Sequence, residues 1–173
     1  MLFTKVLAPV AFLATAVLAD GAAIVDALNA IAADTAALNN TVIAWKGDLL
    51  GSLPIITKST SLLATIKKGT KTAEDSAPLE LLETIGVALA TQALVSDVNT
   101  TLTTIVSRKS DFDHLLLSPV VLLNLELEKK ASADFSDAVT AKVPADVQSI
   151  AEQLAAQIND AFLEAIDVYN GPF

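Results

Sequence analysis

The sequence predicts an all-α protein, a mostly antiparallel five-helix bundle behind an N-terminal leader. Three observations lead there. Apolar residues recur at alternating three- and four-residue steps along nearly the whole chain, while the two-residue alternation of strands is almost missing. Hydrophobic residues make up 53% of the 173 residues but aromatics only 5%, so the apolar mass is Ala, Leu, Val and Ile, the material of helix–helix contacts. Glycine and proline punctuate the pattern at intervals that leave helices joined by short linkers. The length fits one domain.

The first residues read as a secretory signal peptide. Met1 to Lys5 carries one positive charge, Val6 to Leu18 is apolar apart from Thr15, and Val17-Leu18-Ala19 suits a signal peptidase. Residues 1–19 are therefore assigned to the leader and 20–173 to the helical domain. Pro9 and the short run argue against a membrane span, which needs about 20 apolar residues.

Helix one is expected from about Gly21 to Lys46, with Ile24, Leu28, Ile31, Thr35, Leu38, Val42 and Trp45 on one stripe and Gly47 and Gly51 as the break. Helix two begins near Ser52, a reasonable N-cap, with Leu53, Ile56, Thr60 and Leu63 inward and an end at Lys67-Lys68-Gly69. A polar linker, Thr70 to Ala77, leads to helix three, capped by Ser76 and running to about Lys109. Helix three has three apolar stripes: Leu81, Ile85, Ala88, Val95, Leu102 and Val106; Leu82, Leu89 and Ala93; and Val87, Leu94, Val98 and Ile105. After a linker at Ser110 to His114, Ser118-Pro119 opens helix four. Its first half, Leu115 to Leu127, is apolar in nearly every direction, and Ala131, Phe135 and Ala138 continue inward. Val143-Pro144-Ala145-Asp146 starts helix five, with Val147, Ile150, Leu154, Ile158, Phe162 and Tyr169 on its apolar face.

Composition narrows the function. The net charge is −9, and it becomes −10 in side chains once Lys5 leaves with the leader; Arg108 is the only arginine. Such a chain is a poor partner for nucleic acid, whose phosphates need neutralising. With no cysteine, a secreted domain of this size rests on helix packing without disulfides. His114 is the single histidine, so a multi-histidine or His–Cys metal site is excluded within one chain. Asp111 and Asp113 beside it read as a solvated loop in preference to a site. No G-x-S-x-G turn, phosphate loop or dinucleotide fingerprint is present, and no catalytic residue, cofactor or metal is assigned. Asn39 and Asn99 lie in N-glycosylation sequons; the stripes place Asn39 outward and Asn99 inward.

The surplus of apolar faces on helices three and four has two readings. One is a helix buried at the centre of the bundle. The other is a cleft for an acyl chain, or an exposed apolar surface, with Leu82, Leu89, Leu116, Val120, Leu123 and Leu127 as contact residues.

The order and spacing of several residue groups resemble the fungal hydrophobic surface-binding protein A family, which includes cell-wall galactomannoproteins. These groups are Ile24/Leu28/Ile31, Trp45 before Gly47, Ile66-x-x-Gly69, Ser76-Ala77-Pro78-Leu79 and Arg108-Lys109 with Phe112. Val120-Val121-Leu122, Lys130-Ala131, Lys142-Val143-Pro144, Ile150-Ala151 and Ala155-Ala156-Gln157-Ile158 continue the series. The resemblance extends from Asp20 to about Tyr169. Members tend to have a glycine soon after the Phe of the fourth linker, where this chain has Asp113-His114-Leu115-Leu116. The resemblance implies a secreted or wall-associated, non-catalytic protein. Its partners would be a long-chain fatty acid or other lipid held in the bundle, or hydrophobic surfaces, together with a recruited secreted hydrolase. A glycosylated structural wall protein without ligand is the alternative, and a hydrolase relying on His114 or an acid pair is the less favoured one.

Overall fold

A computed structural model describes residues 13–171, with side chains from Asp20 onward. The predicted leader, residues 1–19, lies outside the residues whose side chains are described. All regular structure among the described residues is helical: α1 (Leu13–Ala44), α2 (Leu49–Asp75), α3 (Leu81–Ser107), α4 (Lys109–His114), α5 (Ser118–Thr140) and α6 (Gln148–Asn170), with a 3-10 turn at Ala145–Val147.

There are six helices, not the expected five. The stretch read as the fourth linker is the one-and-a-half-turn α4, too short to register as periodicity. Its buried Phe112 anchors it, and Arg108–Asp111 and Lys109–Asp113 ion pairs at 3.0 and 2.7 Å brace it. A Schellman arrangement ends it: Leu116 N–H donates to Asp113 O and Leu117 N–H to Phe112 O, both at 2.9 Å. This ending requires a left-handed residue at position 116, and Leu116 takes φ 58° there. That is the neighbourhood in which the resembling family tends to have glycine.

The second helix is longer and turned. It continues through Lys67-Lys68-Gly69 to Asp75, and its buried face is Ile55, Ser59, Leu62, Ile66, Gly69 and Ala73. Gly69 is not a terminus but a point of close approach, where an added Cβ would lie 3.2 Å from the Phe135 ring and 3.3 Å from Ile31. Asp48, not Ser52, caps the helix, accepting from Gly51 N–H at 2.7 Å. Likewise Glu80 caps α3 in a reciprocal box with Glu83, whose second carboxylate oxygen accepts Gly21 N–H of α1 at 3.0 Å.

The five long helices close into a ring in the order α1–α2–α5–α6–α3 and back to α1. The expected mostly antiparallel packing holds only for the hairpin neighbours α1/α2 and α5/α6. Gly21 meets Glu83 and Trp45 meets Arg108, so α1 and α3 run parallel. Ser59 meets Glu128, and Glu74 and Ser76 meet Lys142, so α2 and α5 also run parallel. It follows that α3 and α6 are parallel too. The reason is the α2–α3 linker, which crosses one end of the bundle and leaves Leu79 buried, with its N–H on Lys142 O at 2.8 Å.

Aromatic packing seals the opposite end. The Trp45 and Phe112 rings stack with centroids 4.4 Å apart, and Phe112 meets Tyr169 at 6.4 Å. Arg108 lies over the Trp45 ring and donates to Trp45 O at 2.6 Å, while Tyr169 Oη donates to Ile105 O at 2.8 Å. Residues 20–44, Leu49–Asp75 and Leu81–Ser107 are long and apolar enough, by length and composition, to cross a membrane. Here their apolar stripes build the ring.

A leucine in the left-handed region costs roughly 1–2 kcal/mol, and glycine there costs little. Leu116→Gly is therefore expected to raise unfolding stability by about 1 kcal/mol in urea titrations, despite the extra chain entropy glycine loses.

Candidate functional site

Five helices around one axis, with Ala, Val and Thr at many inner positions, leave that axis unfilled. A cavity of about 150 Å³ runs along it. Leu28, Ile31 and Leu38 of α1 and Val87, Leu94 and Val98 of α3 form part of its wall, facing Phe135 of α5 and Ile158 of α6. Its mouth lies at the crossed end of the ring, where Leu81, Ile85 and Ile150 are 60%, 51% and 51% exposed and also line the cavity. The sealed end stops it from becoming a channel.

The wall's polar groups are mostly occupied. The Thr35, Thr84, Thr91 and Thr101 hydroxyls donate to carbonyls one turn back on their own helices at 2.8–3.0 Å, which hides their polarity from the interior. Thr101 additionally reaches Thr35 O, at 3.4 Å.

Glu128 is different. It is 3% exposed and lines both the main cavity and a second one of about 40 Å³ between the N-terminal halves of α2 and α5. Leu38 and Ile105 are the other residues common to both, so Glu128 stands at their junction. Ser59 donates to its Oε1 at 2.7 Å, its one hydrogen bond among the described residues. Loss of hydration on burial pushes its carboxyl up to about 7, and the Ser59 hydrogen bond partly opposes this. Ser132 and Ser136, at successive four-residue steps on α5, also line the main cavity, and their hydroxyls have no hydrogen bond among the described residues.

The structure places the predicted contact residues elsewhere. Val120 lines the smaller cavity, whereas Leu82, Leu89, Leu116, Leu123 and Leu127 line neither and are exposed, Leu116 most of all at 80%. These five do not line the described cavities, because the stripe that turns inward on α3 is Val87, Leu94, Val98 and Ile105, interleaved with Thr84, Thr91 and Thr101; their exposure matches the surface form of the expectation. Leu82 and Leu89 sit on the outer side. On α5 the inward stripe is Leu125, Glu128, Ala131, Phe135 and Val139. Sequence reasoning passed over Glu128. Its signal was an acid in register with Leu125 and Phe135, at a position where an apolar residue is expected.

The sequons also change places. Asn99 is exposed, with its side-chain amide on Val95 O at 3.0 Å, while Asn39 is half-buried and its Oδ1 has no partner. Asn99 lies at the rim of the α3 inner face, outside the interlocked Val98 and Leu102. Asp113 is held below the usual carboxylate range, first by the Lys109 hydrogen bond and then by Ser118, so it serves the α4 brace. His114 is exposed, and no cluster of three or more His, Cys, Asp or Glu able to hold a metal exists among the described residues.

Fold and site together define an all-α ring around a closed-ended apolar cavity. The chain belongs to the hydrophobic surface binding protein A family, whose model matches residues 21–141. It is 27% identical over 168 residues to cell wall mannoprotein 1 of Aspergillus flavus and 29% identical over 147 residues to that of Aspergillus fumigatus. The matches cover 97% and 84% of this chain but 61% and 50% of those proteins, so the chain spans little more than half the length of its curated relatives. Among solved structures, AFMP4P in complex with palmitic acid superposes with a TM-score of 0.84 at 25% identity, covering 87% of this chain and 99% of that one. Ligand binding domain 1 of Penicillium marneffei MP1 protein, complexed with arachidonic acids, shares the fold at TM-score 0.84 and 20% identity, over 88% of this chain and 99% of that domain.

The buried acid makes stability depend on pH. With a carboxyl at about 7 in the folded protein against 4.5 unfolded, the folded state holds the extra proton between those values. Stability is thus full below pH 4.5, falls as pH rises to 7 and stays reduced above it. Wild type should lose about 3 kcal/mol over that window that Glu128→Gln does not lose. Urea unfolding of both proteins at pH 4.5 and 7.5 measures the difference, and parallel losses would contradict the assignment.

Proposed function

We propose that this protein is a secreted, cell-wall-associated, non-catalytic carrier that holds a long-chain acyl lipid along the axis of its helical ring. The cavity itself supports this reading most directly: a narrow apolar space, open at one end, walled by five helices and ending near a single acid. A linear hydrocarbon chain fits that shape, and a bulky or highly polar molecule does not. The palmitic and arachidonic acids held by two proteins of the same fold support the same ligand class.

The cavity, at about 150 Å³, is smaller than the roughly 300–1,000 Å³ of ordinary ligand pockets, so an occupant spreads the ring. The α5/α6 seam offers the least resistance. Ser132, Ser136, Ile158 and Phe162 line the cavity and also an outer groove shared with Ala133, Ala155 and Ala156 and edged by Lys129, Asp137 and Asn159, so a single layer of side chains separates the two.

Secretion accords with the leader-like residues 1–19. Removal after Ala19 would leave Glu83 accepting the Gly21 N–H in the first turn of the shortened α1, an arrangement that satisfies a donor at a helix N-terminus. A sugar chain suits the exposed Asn99 better than the half-buried Asn39.

Adsorption to a hydrophobic surface is a second reading, favoured by one specific feature. Leu49 and Leu53 of α2 and Val120, Leu123 and Leu127 of α5 are all exposed, and Ile56 and Val120 line the small cavity between these helices, so the leucines flank one apolar seam. Leu116 lies at the same end of α5. Leu82 and Leu89 form a separate exposed strip on α3.

The two modes separate experimentally. Delipidated protein should bind palmitate saturably at one molecule per chain in equilibrium dialysis. Ala88→Phe, which fills the cavity from its α3 wall, should weaken that binding at least tenfold with helicity retained. Leu123→Asp should leave palmitate affinity within about twofold and reduce retention on polyester beads. Undiminished binding by the Ala88→Phe variant would place the lipid outside the ring.

A further inference from the structure

Among the described residues, one ionisable side chain lines the two cavities, and its position says which end of a lipid it meets. Glu128 lies where the main cavity and the small α2/α5 cavity converge, so the deepest point of the apolar path is also its most polar. Ser59 occupies one carboxyl oxygen at 2.7 Å. The other oxygen has no hydrogen bond among the described residues, and Ser132, one turn along α5, has a hydroxyl in the same condition. A half-satisfied acid and an unused hydroxyl on the wall of an apolar cavity leave hydrogen-bonding capacity that an occupant can complete.

No opposite charge in either lining completes it. Leu38 of α1, Ser59 of α2, Ile105 of α3 and Phe112 of α4 share linings with it, as do Ile158 and Phe162 of α6. The charged groups of those elements, among them Asp34, Lys58, Asp97, Lys109, Asp113 and Asp160, all lie outside both linings, and Lys129 of α5 lines only the outer α5/α6 groove that also holds Ser132. Asp34 instead accepts from Thr65 at 2.7 Å, and Asp113 pairs with Lys109 at the brace. An anionic head reaching Glu128 therefore finds no cation in the lining of either cavity, and an ionised Glu128 would repel it.

We propose that Glu128, with Ser59 and Ser132, is the head-group site of the bound lipid, and that it accepts an oxygen head sharing a hydrogen bond with the acid: a hydroxyl, or a carboxylate only while Glu128 holds a proton. The proposal rests on the lipid reading above and adds head-group selection to it. A fatty alcohol donates to the ionised acid or accepts from the protonated one, so it binds in either state. A fatty acid anion binds only the protonated state, and above neutral pH its entry draws one proton from solvent onto Glu128. The carboxyl, raised to about 7 by burial, sits where this exchange responds to small changes in pH.

Equilibrium dialysis of palmitate and hexadecanol, each below its aggregation limit, at pH 6 and pH 8 tests the idea on the full chain. Wild-type affinity for palmitate should fall about tenfold between the two, while hexadecanol affinity stays level. Glu128→Gln should bind palmitate with no pH dependence in that range. Ser59→Ala removes the donor that favours the ionised acid, so the midpoint of the palmitate profile should move to higher pH. The same pH dependence in wild type and Glu128→Gln, with hexadecanol still bound, overturns the head-group site and leaves the carrier function standing. Failure of both ligands to bind at either pH removes the carrier function and this proposal with it.

Discussion

The absence of a side chain large enough to fill the axis of the ring governs much of this structure. Helices packed in pairs at 8–10 Å can interlock completely, but five helices arranged around a common axis leave a central space that only bulky residues close. The inner positions here are mostly Leu, Ile, Val, Thr, Ala and Ser, with Phe135 and Phe162 as the large exceptions and Glu128 as the charged one. The threonines contribute methyl groups to the wall while their hydroxyls stay on their own helix carbonyls, so the surface reads as apolar. An empty apolar cavity weakens a fold, since each side chain around it lacks contacts on one side. Its extent from the mouth at Leu81 and Ile150 to Glu128 accords with an interior kept for an occupant.

Ring closure depends on chain crossing. A hairpin bundle of this length would place sequential helices side by side and antiparallel. The linker between α2 and α3 passes over the bundle end, which sets α3 beside α1 and α6 and brings Leu81 and Ile85 to the mouth. The opposite end is fixed by the Trp45, Phe112 and Tyr169 rings under Arg108, and burial raises the Tyr169 hydroxyl further above its ordinary range, keeping it a donor to Ile105 O. One end is therefore closed by packed rings and the other is made of exposed aliphatic side chains. That asymmetry gives the cavity a single direction of entry.

Glu128 is the point at which stability and use diverge. A buried, partly satisfied acid destabilises the folded state when ionised, and a leucine there would complete the α5 stripe. Local rules broken inside an otherwise consistent helix commonly mark function. Leu116 is a second such break. Its left-handed backbone would suit glycine, yet a leucine is placed there, projecting into solvent beside the exposed seam of α5.

Helix content, the α1 stripe from Ile24 to Trp45 and much of the apolar face of α6 were legible in the sequence, because three- and four-residue periodicity is a local property. The order and spacing of residue groups also carried the family. Which face of a multiply apolar helix turns inward was not legible. On α3 three stripes compete, and the neighbours α1 and α6, placed by the crossing linker, choose among them. The same holds for α2, where Ile55, Leu62 and Ile66 rather than Leu53, Ile56 and Leu63 define the buried face. Local spacing thus settled that these segments are helices and that they bear more apolar surface than a simple bundle uses. Only the closed ring decided where that surface goes, because burial is a relation between helices distant in sequence, and the cavity, its mouth and its lone acid exist only once five of them meet.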